Sequence, residues 1–378
     1  MKIPFIDLKK QQENIKEDLH ERILKVLDHG QYIMGPEVYE FEDKLKEFSN
    51  SKYVVSCSSG TDALILALLG LNLKPGQGVI VPSFTFTASA EVVPVLGGIP
   101  IFADVDKLSY NISSQSIEEA IKISSKKNIN IVGIISVGLF GQPAEIDKIN
   151  TIAAKNNLWV IDDAAQSFGA TYKDKRVGTL SDVTCTSFFP AKPLGAYGDG
   201  GALFTSSKKI DEIARSCRVH GQGKDKYTNI RLGMTARLDT MQATILISKL
   251  SIFENELKLR EKIANQYSKN LRDYVKIPHI PNHIKSSWAQ YTIQLPDHID
   301  RSDLQLFLKD KNIPTSIYYP IPIHRLEPYK KYFLSDIDLS VTNMLSKTVL
   351  SLPMHPYLDN KTVKYISERV VEFINRHN

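Results

Sequence analysis

One lysine of this sequence stands in a setting that suits a nucleophilic amine. Lys192 lies between Pro190 and Pro193 in the segment 186–195 (TSFFPAKPLG), and a glycine-rich stretch follows at 198–201 (GDGG). We expect a lysine in such a loop to be held in place, and a fixed amine with a lowered pKa is an effective covalent nucleophile. A single loop lysine is more often simply exposed to solvent. The other motifs must therefore show whether Lys192 has a chemical role.

A pair of acids supplies the second motif. Asp162 and Asp163 follow a predicted strand and begin the segment 162–167 (DDAAQS). They could bind Mg²⁺, but a metal site usually needs further oxygen ligands, and the sequence offers no obvious set. One carboxylate is enough to partner a cationic ring nitrogen, because a nearby negative charge keeps that nitrogen protonated. A plain acid pair at a helix N-terminus is the structural alternative.

A glycine after another predicted strand suggests an anion site. The segment 58–64 (SSGTDAL) follows the apolar residues 53–57 and opens a predicted helix. Gly60 lets the backbone approach a ligand closely, and the free N–H groups at a helix start bind anions well, a phosphate being the natural guest. Ser59 or Thr61 acting as an ordinary helix cap would produce the same pattern.

The fourth motif combines residues 220–222 (HGQ) with residues 233–239 (GMTARLD). Its glycines predict a loop, and Arg237 could pair with a substrate anion or hold the fold through an ion pair. We expect all four motifs at strand ends, where ligands bind in open α/β sheets. Their joint order along the chain is far more specific than any one of them.

The elements that must position these motifs alternate between strands and helices. The clearest unit, residues 130–165, predicts a strand (IVGIISV), a helix over 145–156 and a second strand (LWVID). These strands are continuously apolar, which is typical of a parallel sheet covered on both faces. We therefore predict a large α/β domain over residues 1–250, with a mostly parallel sheet sandwiched by helices. A smaller α+β domain is predicted over residues 251–378, with short strands at 289–294 and 315–318.

Composition narrows the functional classes. The formal net charge is +5 over 378 residues without a block of like charges, which disfavours a nucleic-acid binder. Cys57, Cys185 and Cys217 share no metal-type spacing, so we expect buried, reduced thiols. The N-terminus lacks a signal-peptide core, and the apolar stretch 79–102 is broken by prolines, glycines and Glu91. No membrane span is predicted, and a cytoplasmic protein is expected.

Taken together, the motifs resemble those of the DegT/DnrJ/EryC1/StrS family of nucleotide-sugar aminotransferases. The resemblance covers essentially the whole chain, from IPFIDLKKQ through SSGTDAL, IDDAAQSFGA and RLDTMQA to SLPMHPYLD. It implies the fold-type I architecture of aspartate aminotransferase, pyridoxal 5'-phosphate (PLP) as cofactor, glutamate as amino donor and a homodimer with sites at the interface. FFPAKPLGAYGDGGA and SLPMHPYLD are most similar to enzymes that aminate C3 of UDP-2-acetamido-2-deoxy-3-oxo-glucuronate for bacterial surface polysaccharides such as O-antigen.

The resemblance also implies a role for individual residues. Lys192 takes the position of the family's Schiff-base lysine, Asp163 that of the partner of the pyridine nitrogen, and Gln166 that of a contact on the ring-hydroxyl side. The other implied positions are Phe86 stacked on the ring, Gly60, Thr61 and Ser187 around the phosphate, Thr235 reaching a phosphate across the dimer, and Arg237, Tyr318 and Tyr319 at the substrate.

Two departures from the family pattern leave the substrate open. Thr235 stands where the family often has asparagine, and its hydroxyl has a shorter reach. Tyr318-Tyr319 replaces a His-Tyr pair of the uronate enzymes, and tyrosine supplies no cationic donor for a carboxylate at neutral pH. A dTDP- or UDP-linked 3-keto or 4-keto 6-deoxyhexose is therefore the alternative substrate.

Two further functional classes compete with the aminotransferase. One is a catalytically inactive, PLP-binding regulatory protein, and the other is a metal-dependent sugar enzyme that uses Asp162 and Asp163. The complete set of Lys192, Asp163 and Gln166 disfavours the first. The need for more than two metal ligands disfavours the second.

Overall fold

The computed structural model describes residues 3–225 and 227–377. Within these residues the α-helices are α1 (Leu8–His29), α2 (Pro36–Ser49), α3 (Gly60–Gly70), α4 (Ala88–Val95), α5 (Ser114–Lys126), α6 (Ile146–Lys155), α7 (Lys208–Cys217), α8 (Thr240–Leu271), α9 (Arg301–Asp310), α10 (Ser340–Thr348) and α11 (Asn360–His377). The strands are β1 (Tyr53–Cys57), β2 (Gly78–Pro82), β3 (Ile99–Ala103), β4 (Ile131–Val137), β5 (Trp159–Asp163), β6 (Thr171–Tyr172), β7 (Lys175–Arg176), β8 (Val183–Ser187), β9 (Gly201–Thr205), β10 (Ile284–Lys285), β11 (Tyr291–Gln294) and β12 (Val349–Leu352).

A seven-stranded sheet forms the centre of the large α/β region, with the strand order β1-β9-β8-β5-β4-β2-β3. β9 runs antiparallel to both of its neighbours, β1 and β8. The pairs β8–β5, β5–β4, β4–β2 and β2–β3 are parallel. The predicted mostly parallel α/β sheet is thereby confirmed, and parallel strands place their carboxyl ends at one edge.

Helices cover both faces of this sheet. Leu203 of β9 packs in one hydrophobic core together with α3 and α4. Its neighbours Ala202 and Phe204 point the other way, into a second core with α2 and the first half of α8. Because side chains alternate along a strand, this division explains why the strands are apolar at nearly every position, as the sequence pattern indicated.

Two elements differ from the sequence-based prediction. β3 has no counterpart among the predicted strands. It contains Pro100, but β3 is the last strand of the sheet, and an edge strand tolerates a proline. The predicted strand 315–318 is absent; only Ser316 forms an isolated bridge, to Ser351. Pro314 and Pro320 flank this segment and limit strand pairing on both sides.

α8 is one continuous helix of 32 residues. Phe253 in its first half packs in the core with α2, whereas Tyr267 and Leu271 in its second half pack in a separate core with β11, β12 and α11. The predicted boundary between domains, residue 250, falls inside this helix and stays a prediction. No described helix is both long and apolar enough to cross a membrane.

Candidate active site

A cavity of about 640 Å³ opens at the carboxyl ends of the parallel strands. The last residues of three neighbouring strands line it, namely Val137 of β4, Asp163 of β5 and Ser187 of β8. The residues that the sequence analysis selected and that line this cavity are Gly60, Thr61, Phe86, Asp163, Gln166, Ser187, Lys192, Tyr318 and Tyr319. The topology thus gathers residues that are up to 259 positions apart (319 minus 60).

Lys192 projects into this cavity from the loop that joins β8 to β9. Its backbone N–H donates to the Phe189 carbonyl at 2.9 Å, which closes the turn of residues 189–192 around Pro190. Burial lowers the pKa of the Lys192 amine, and the Asp163 carboxylate partly opposes that shift. A lowered pKa increases the fraction of neutral amine, the form that attacks an electrophile.

Asp163 is buried and held by two donors. The Ser89 hydroxyl donates to Oδ2 at 2.7 Å, and the Ala165 N–H donates to Oδ1 at 3.1 Å. Burial raises the pKa of Asp163, while these two hydrogen bonds and the Lys192 ammonium counteract the shift. A cationic ligand facing this carboxylate would favour its ionised form. Ser89 was missed by the sequence analysis, although it lies in the serine- and threonine-rich segment 83–89 (SFTFTAS).

The N-terminus of α3 forms one wall of the cavity. The helix begins at Gly60, and the Ser59 side chain caps it by accepting from the Asp62 N–H at 3.0 Å. A Cβ at Gly60 would lie 2.7 Å from the Ser187 Cβ, so only glycine fits there. The Ser187 oxygen accepts from the Phe189 N–H at 3.2 Å, which leaves its own hydroxyl hydrogen free to donate. This wall suits a phosphate group.

A buried ion pair supports that wall from behind. Arg218 donates to Glu42 at 2.6 Å and to the Ser56 carbonyl at 2.7 Å, at the end of β1. Burial alone would raise the pKa of Glu42, but Arg218 and Arg215 beside it bring the pKa below its ordinary value. A paired charge at this depth fixes the strand from which the α3 cap emerges.

Aromatic and amide side chains form the opposite wall. Gln166 accepts from the Phe140 N–H at 2.8 Å and donates to the Tyr319 hydroxyl at 3.0 Å. The Phe86 ring lies 6.2 Å from the Tyr319 ring and is 54% exposed, so one of its faces is open. A flat ligand ring can lie against that face. Gln290, which the sequence analysis did not select, also lines the cavity.

Asp162 does not line the cavity, although it adjoins Asp163. Side chains alternate along β5, and Asp162 instead accepts from the Ser136 hydroxyl at 3.2 Å. Its Oδ2 has no hydrogen-bond partner among the described residues. Burial, reinforced by Asp163, raises the pKa of Asp162 to about 7. In residues 3–225 and 227–377, no three His, Cys, Asp or Glu side chains group together as metal ligands.

Thr235 and Arg237 lie outside the cavity. The prediction that this motif lies at a strand end is wrong, because residues 220–222 and 233–239 belong to the loop between α7 and α8. Thr235 is exposed, with its hydroxyl 2.8 Å from His220 Nε2. Arg237 lines a separate open depression of about 760 Å³, and its Nε has no described hydrogen-bond partner. The loop nevertheless touches the phosphate wall, because the Ser58 N–H donates to the Ala236 carbonyl at 3.2 Å.

The donors in the cavity fit PLP. Four features of the cavity match four parts of PLP. The helix start suits the phosphate and the buried carboxylate suits the ring nitrogen. The open aromatic face suits the ring, and the partly desolvated lysine suits the aldehyde. The narrow contact between Gly60 and Ser187 places the first turn of α3 at the cavity surface without a side chain in between.

The three cysteines are free and buried, as predicted.

The chain is similar to known proteins along nearly its whole length. The model of the DegT/DnrJ/EryC1/StrS aminotransferase family matches residues 13–371. A UDP-2-acetamido-2-deoxy-3-oxo-D-glucuronate aminotransferase of Pseudomonas aeruginosa is 46% identical, covering 96% of this chain and 98% of that protein. A dTDP-3-amino-3,6-dideoxy-alpha-D-galactopyranose transaminase of Aneurinibacillus thermoaerophilus is 35% identical, covering 99% of each chain.

Two solved structures are similar over nearly the whole chain. A DegT DnrJ EryC1 StrS aminotransferase from Brucella abortus has a TM-score of 0.95 and 42% identity, covering 98% of this chain and 99% of that one. NtdA of Bacillus subtilis, solved with bound cofactor PMP, has a TM-score of 0.89 and 28% identity, covering 99% of this chain and 85% of that one.

Proposed function

Because the chain belongs to the DegT/DnrJ/EryC1/StrS aminotransferase family, we propose that it transfers an amino group from glutamate to C3 of UDP-2-acetamido-2-deoxy-3-oxo-glucuronate. The protein is a PLP-dependent aminotransferase, and the proposed substrate places it in the synthesis of bacterial surface polysaccharides. One observation supports the proposal above all: Lys192 and Asp163 meet in a cavity whose wall is the N-terminus of α3. The 46% identity to an enzyme named for this substrate supports the choice of sugar.

The residues of the cavity divide the chemistry between them. When bound, PLP supplies an electron sink that lets an amino group pass between a donor and a keto carbon. Lys192 would hold the cofactor covalently through its amine, and the same amine would accept and return a proton during the transfer. The Asp163 carboxylate would partner the ring nitrogen and favour its protonated form, and Ser89 and the Ala165 N–H hold that carboxylate in place.

The other walls keep the cofactor in position. The first turn of α3 and the Ser187 hydroxyl would hold the phosphate and so anchor the cofactor while Lys192 moves protons. Phe86 would stack on the cofactor ring, and Gln166 would contact the ring on its hydroxyl side. Tyr318 and Tyr319 line the region where the sugar would enter.

A 6-deoxy keto sugar on dTDP or UDP is the second candidate substrate. Lys192 is the only lysine or arginine among the described residues that line the cavity, and no histidine lines it. Tyr318 and Tyr319 donate only neutral hydrogen bonds, so one protomer offers no spare cation for a C6 carboxylate. The relative named for a dTDP-linked 3-amino-3,6-dideoxy sugar also favours this alternative.

A homodimer would supply the missing cation. We propose that Thr235 and Arg237 of one copy reach the cavity of the other, at the phosphate and the substrate respectively. Exposed apolar side chains in the same loop support an interface there, since Ile230 is 57% and Leu232 is 94% exposed. We also propose a cytoplasmic location, where nucleotide sugars are made and free thiols such as Cys57 stay reduced.

A panel of keto sugars tests the substrate. The PLP-loaded protein is incubated with glutamate and either the UDP-linked 3-oxo-glucuronate, its 6-deoxy counterpart on dTDP or UDP, or the corresponding 4-keto sugar. Release of 2-oxoglutarate is measured with the amino sugar formed. We expect the highest kcat/KM for the uronate. Preference for a 6-deoxy sugar would replace it with the second candidate, and amination of none of them would refute both.

A further inference from the structure

A second lysine lies behind the loop that carries Lys192. Lys249 belongs to α8 and is fully buried, with 0% of its surface exposed. Its ammonium group donates to the Gly195 carbonyl at 2.6 Å. The same group lies 4.0 Å from the centre of the Tyr197 ring, in a cation–π contact. Both contacts fall three to five residues after Lys192 in the chain.

Backbone hydrogen bonds join the two ends of the loop that carries Lys192. The Phe188 N–H donates to the Gly200 carbonyl at 2.7 Å, and the Ala196 N–H donates to the Phe188 carbonyl at 2.7 Å. Gly195 is packed so tightly that a Cβ there would lie 2.5 Å from the Pro190 carbonyl oxygen. The Gly195 backbone therefore lies close to Pro190, two residues before Lys192, with no room for a side chain between them.

α8 holds the outer side of the loop with two side chains. Gln242 accepts from the Tyr197 N–H at 3.0 Å, and Lys249 lies seven residues later on the same face of the helix. The helix itself is anchored in two of the hydrophobic cores, the one with α2 and the one with β11, β12 and α11. The position of the Lys192 loop is thus tied to the longest of the described helices.

Burying a lysine at this position carries a cost in stability. Burial lowers the pKa of Lys249 to about 7, with only a partial opposing contribution from Glu256. An unbranched apolar side chain of similar length would fill the same space without that cost. Stability alone therefore does not account for a lysine here, whereas a requirement for a donor at the Gly195 carbonyl does.

We infer that Lys249 is a positioning residue, which holds the Lys192 loop in the geometry needed for PLP attachment by bonding the Gly195 carbonyl and the Tyr197 ring. This inference rests on the proposed PLP chemistry of Lys192. The attachment condenses the Lys192 amine with the aldehyde of PLP, forms a carbon–nitrogen double bond and releases water. Loss of Lys249 should slow that condensation without unfolding the protein.

The test compares Lys249→Met with the wild-type protein and with Lys258→Met, an exposed lysine on the same helix as a matched control. Each cofactor-free protein is mixed with PLP, and samples are reduced with borohydride over time. Mass spectrometry then gives the fraction of Lys192 labelled. Thermal unfolding of the cofactor-free proteins is measured in parallel.

We expect Lys249→Met to be labelled about tenfold more slowly, the size expected for one lost charged hydrogen bond, while its Tm equals or exceeds that of the wild type. Lys258→Met should match the wild type in both measurements. Lys249→Gln, a shorter neutral donor, should fall between wild type and Lys249→Met, and it decides the question if Lys249→Met does not fold.

Labelling of Lys249→Met at the wild-type rate would overturn the inference, and so would a slower rate accompanied by a lower Tm, which indicates a structural role. If Lys249→Met does not fold and Lys249→Gln labels at the wild-type rate, the inference is likewise overturned. If the wild type itself is not labelled at Lys192, that result refutes the proposed function on which this inference rests.

Discussion

The strand-end cavity and the loop 218–237 differ in how far a single chain shields their predicted site residues from solvent. In the cavity, every predicted residue is buried or half-buried against a neighbour except the open ring of Phe86, and Lys192 and Asp163 influence each other's pKa. In the loop, Thr235 is exposed and Leu232 is 94% exposed. One chain therefore gives the residues of the cavity a defined environment, whereas Thr235 and Leu232 in the loop remain open to solvent.

This difference separates two kinds of functional residue. Residues at strand ends are positioned by the sheet, so their surroundings already perturb them in a single chain. Residues of an exposed loop obtain a defined environment from a partner, here by proposal a second copy. The following predictions test whether the two regions divide catalysis and recognition in this way.

Replacing Lys192 should have the largest effect. Lys192→Ala removes the amine that attaches PLP and moves protons, so turnover should fall by about 10³-fold or more, with the fold retained. Turnover and circular dichroism are measured on the same preparation. Lys208→Ala, which removes an exposed lysine, serves as the control and should behave like the wild type. A Lys192→Ala enzyme with near-normal turnover would show that the cavity is not the site.

Replacing Asp163 should reduce activity by about 10² to 10³-fold, because the ring nitrogen of PLP would lose its anionic partner. Asp163→Asn keeps the shape of the side chain, and the rate of glutamate-dependent conversion is the measurement. Asp162→Asn is the matched control, since Asp162 does not line the cavity and should lose less than about tenfold. Equal losses in both variants would contradict the distinction between the two acids.

A mixing experiment tests the exposed loop. Arg237→Ala should lower kcat/KM by about 10-fold to 100-fold, the usual cost of a lost charged contact to a substrate anion. If the site is shared between copies, unfolding and refolding a mixture of Lys192→Ala and Arg237→Ala chains creates one intact site in each mixed dimer. About one quarter of the wild-type activity should then return. No recovery, despite mixed dimers detected by mass spectrometry, would place Arg237 outside a shared site.

The smallest predicted effect concerns stability and pH. The pKa of Asp162 is raised to about 7 in the folded chain, so the folded state holds a proton that the unfolded state releases near its ordinary pKa. The free energy of unfolding should therefore decrease as pH rises from about 4 to about 7. Asp162→Asn should remove this contribution and be more stable than the wild type at pH 8, by on the order of a few kcal/mol. Denaturant unfolding of both proteins at pH 5 and pH 8 measures this contribution. If the difference in unfolding free energy between the two proteins is the same at both pH values, the raised pKa of Asp162 is refuted.

Sequence reasoning succeeded where one local rule decided the structure. The apolar strands β4 and β5, the helix start at Gly60 and the strand-end position of Asp163 all follow from short segments. It failed where the tertiary environment decided. β3 survives Pro100 only because it is an edge strand. Ser89 becomes a partner of Asp163 only when the fold brings the start of α4 to the end of β5, and Lys249 becomes a buried donor only through the fold of the Lys192 loop.

The most direct test of the proposed active site is an absorbance spectrum of the purified protein with PLP, before and after addition of glutamate. The wild type should show a visible band that Lys192→Ala lacks, because the band requires PLP joined to the Lys192 amine. Glutamate should convert it to the near-ultraviolet band of the aminated cofactor, and a keto sugar should restore it. A wild-type protein without a visible band, or one whose band is unchanged in Lys192→Ala, would contradict the assignment of Lys192 and its cavity.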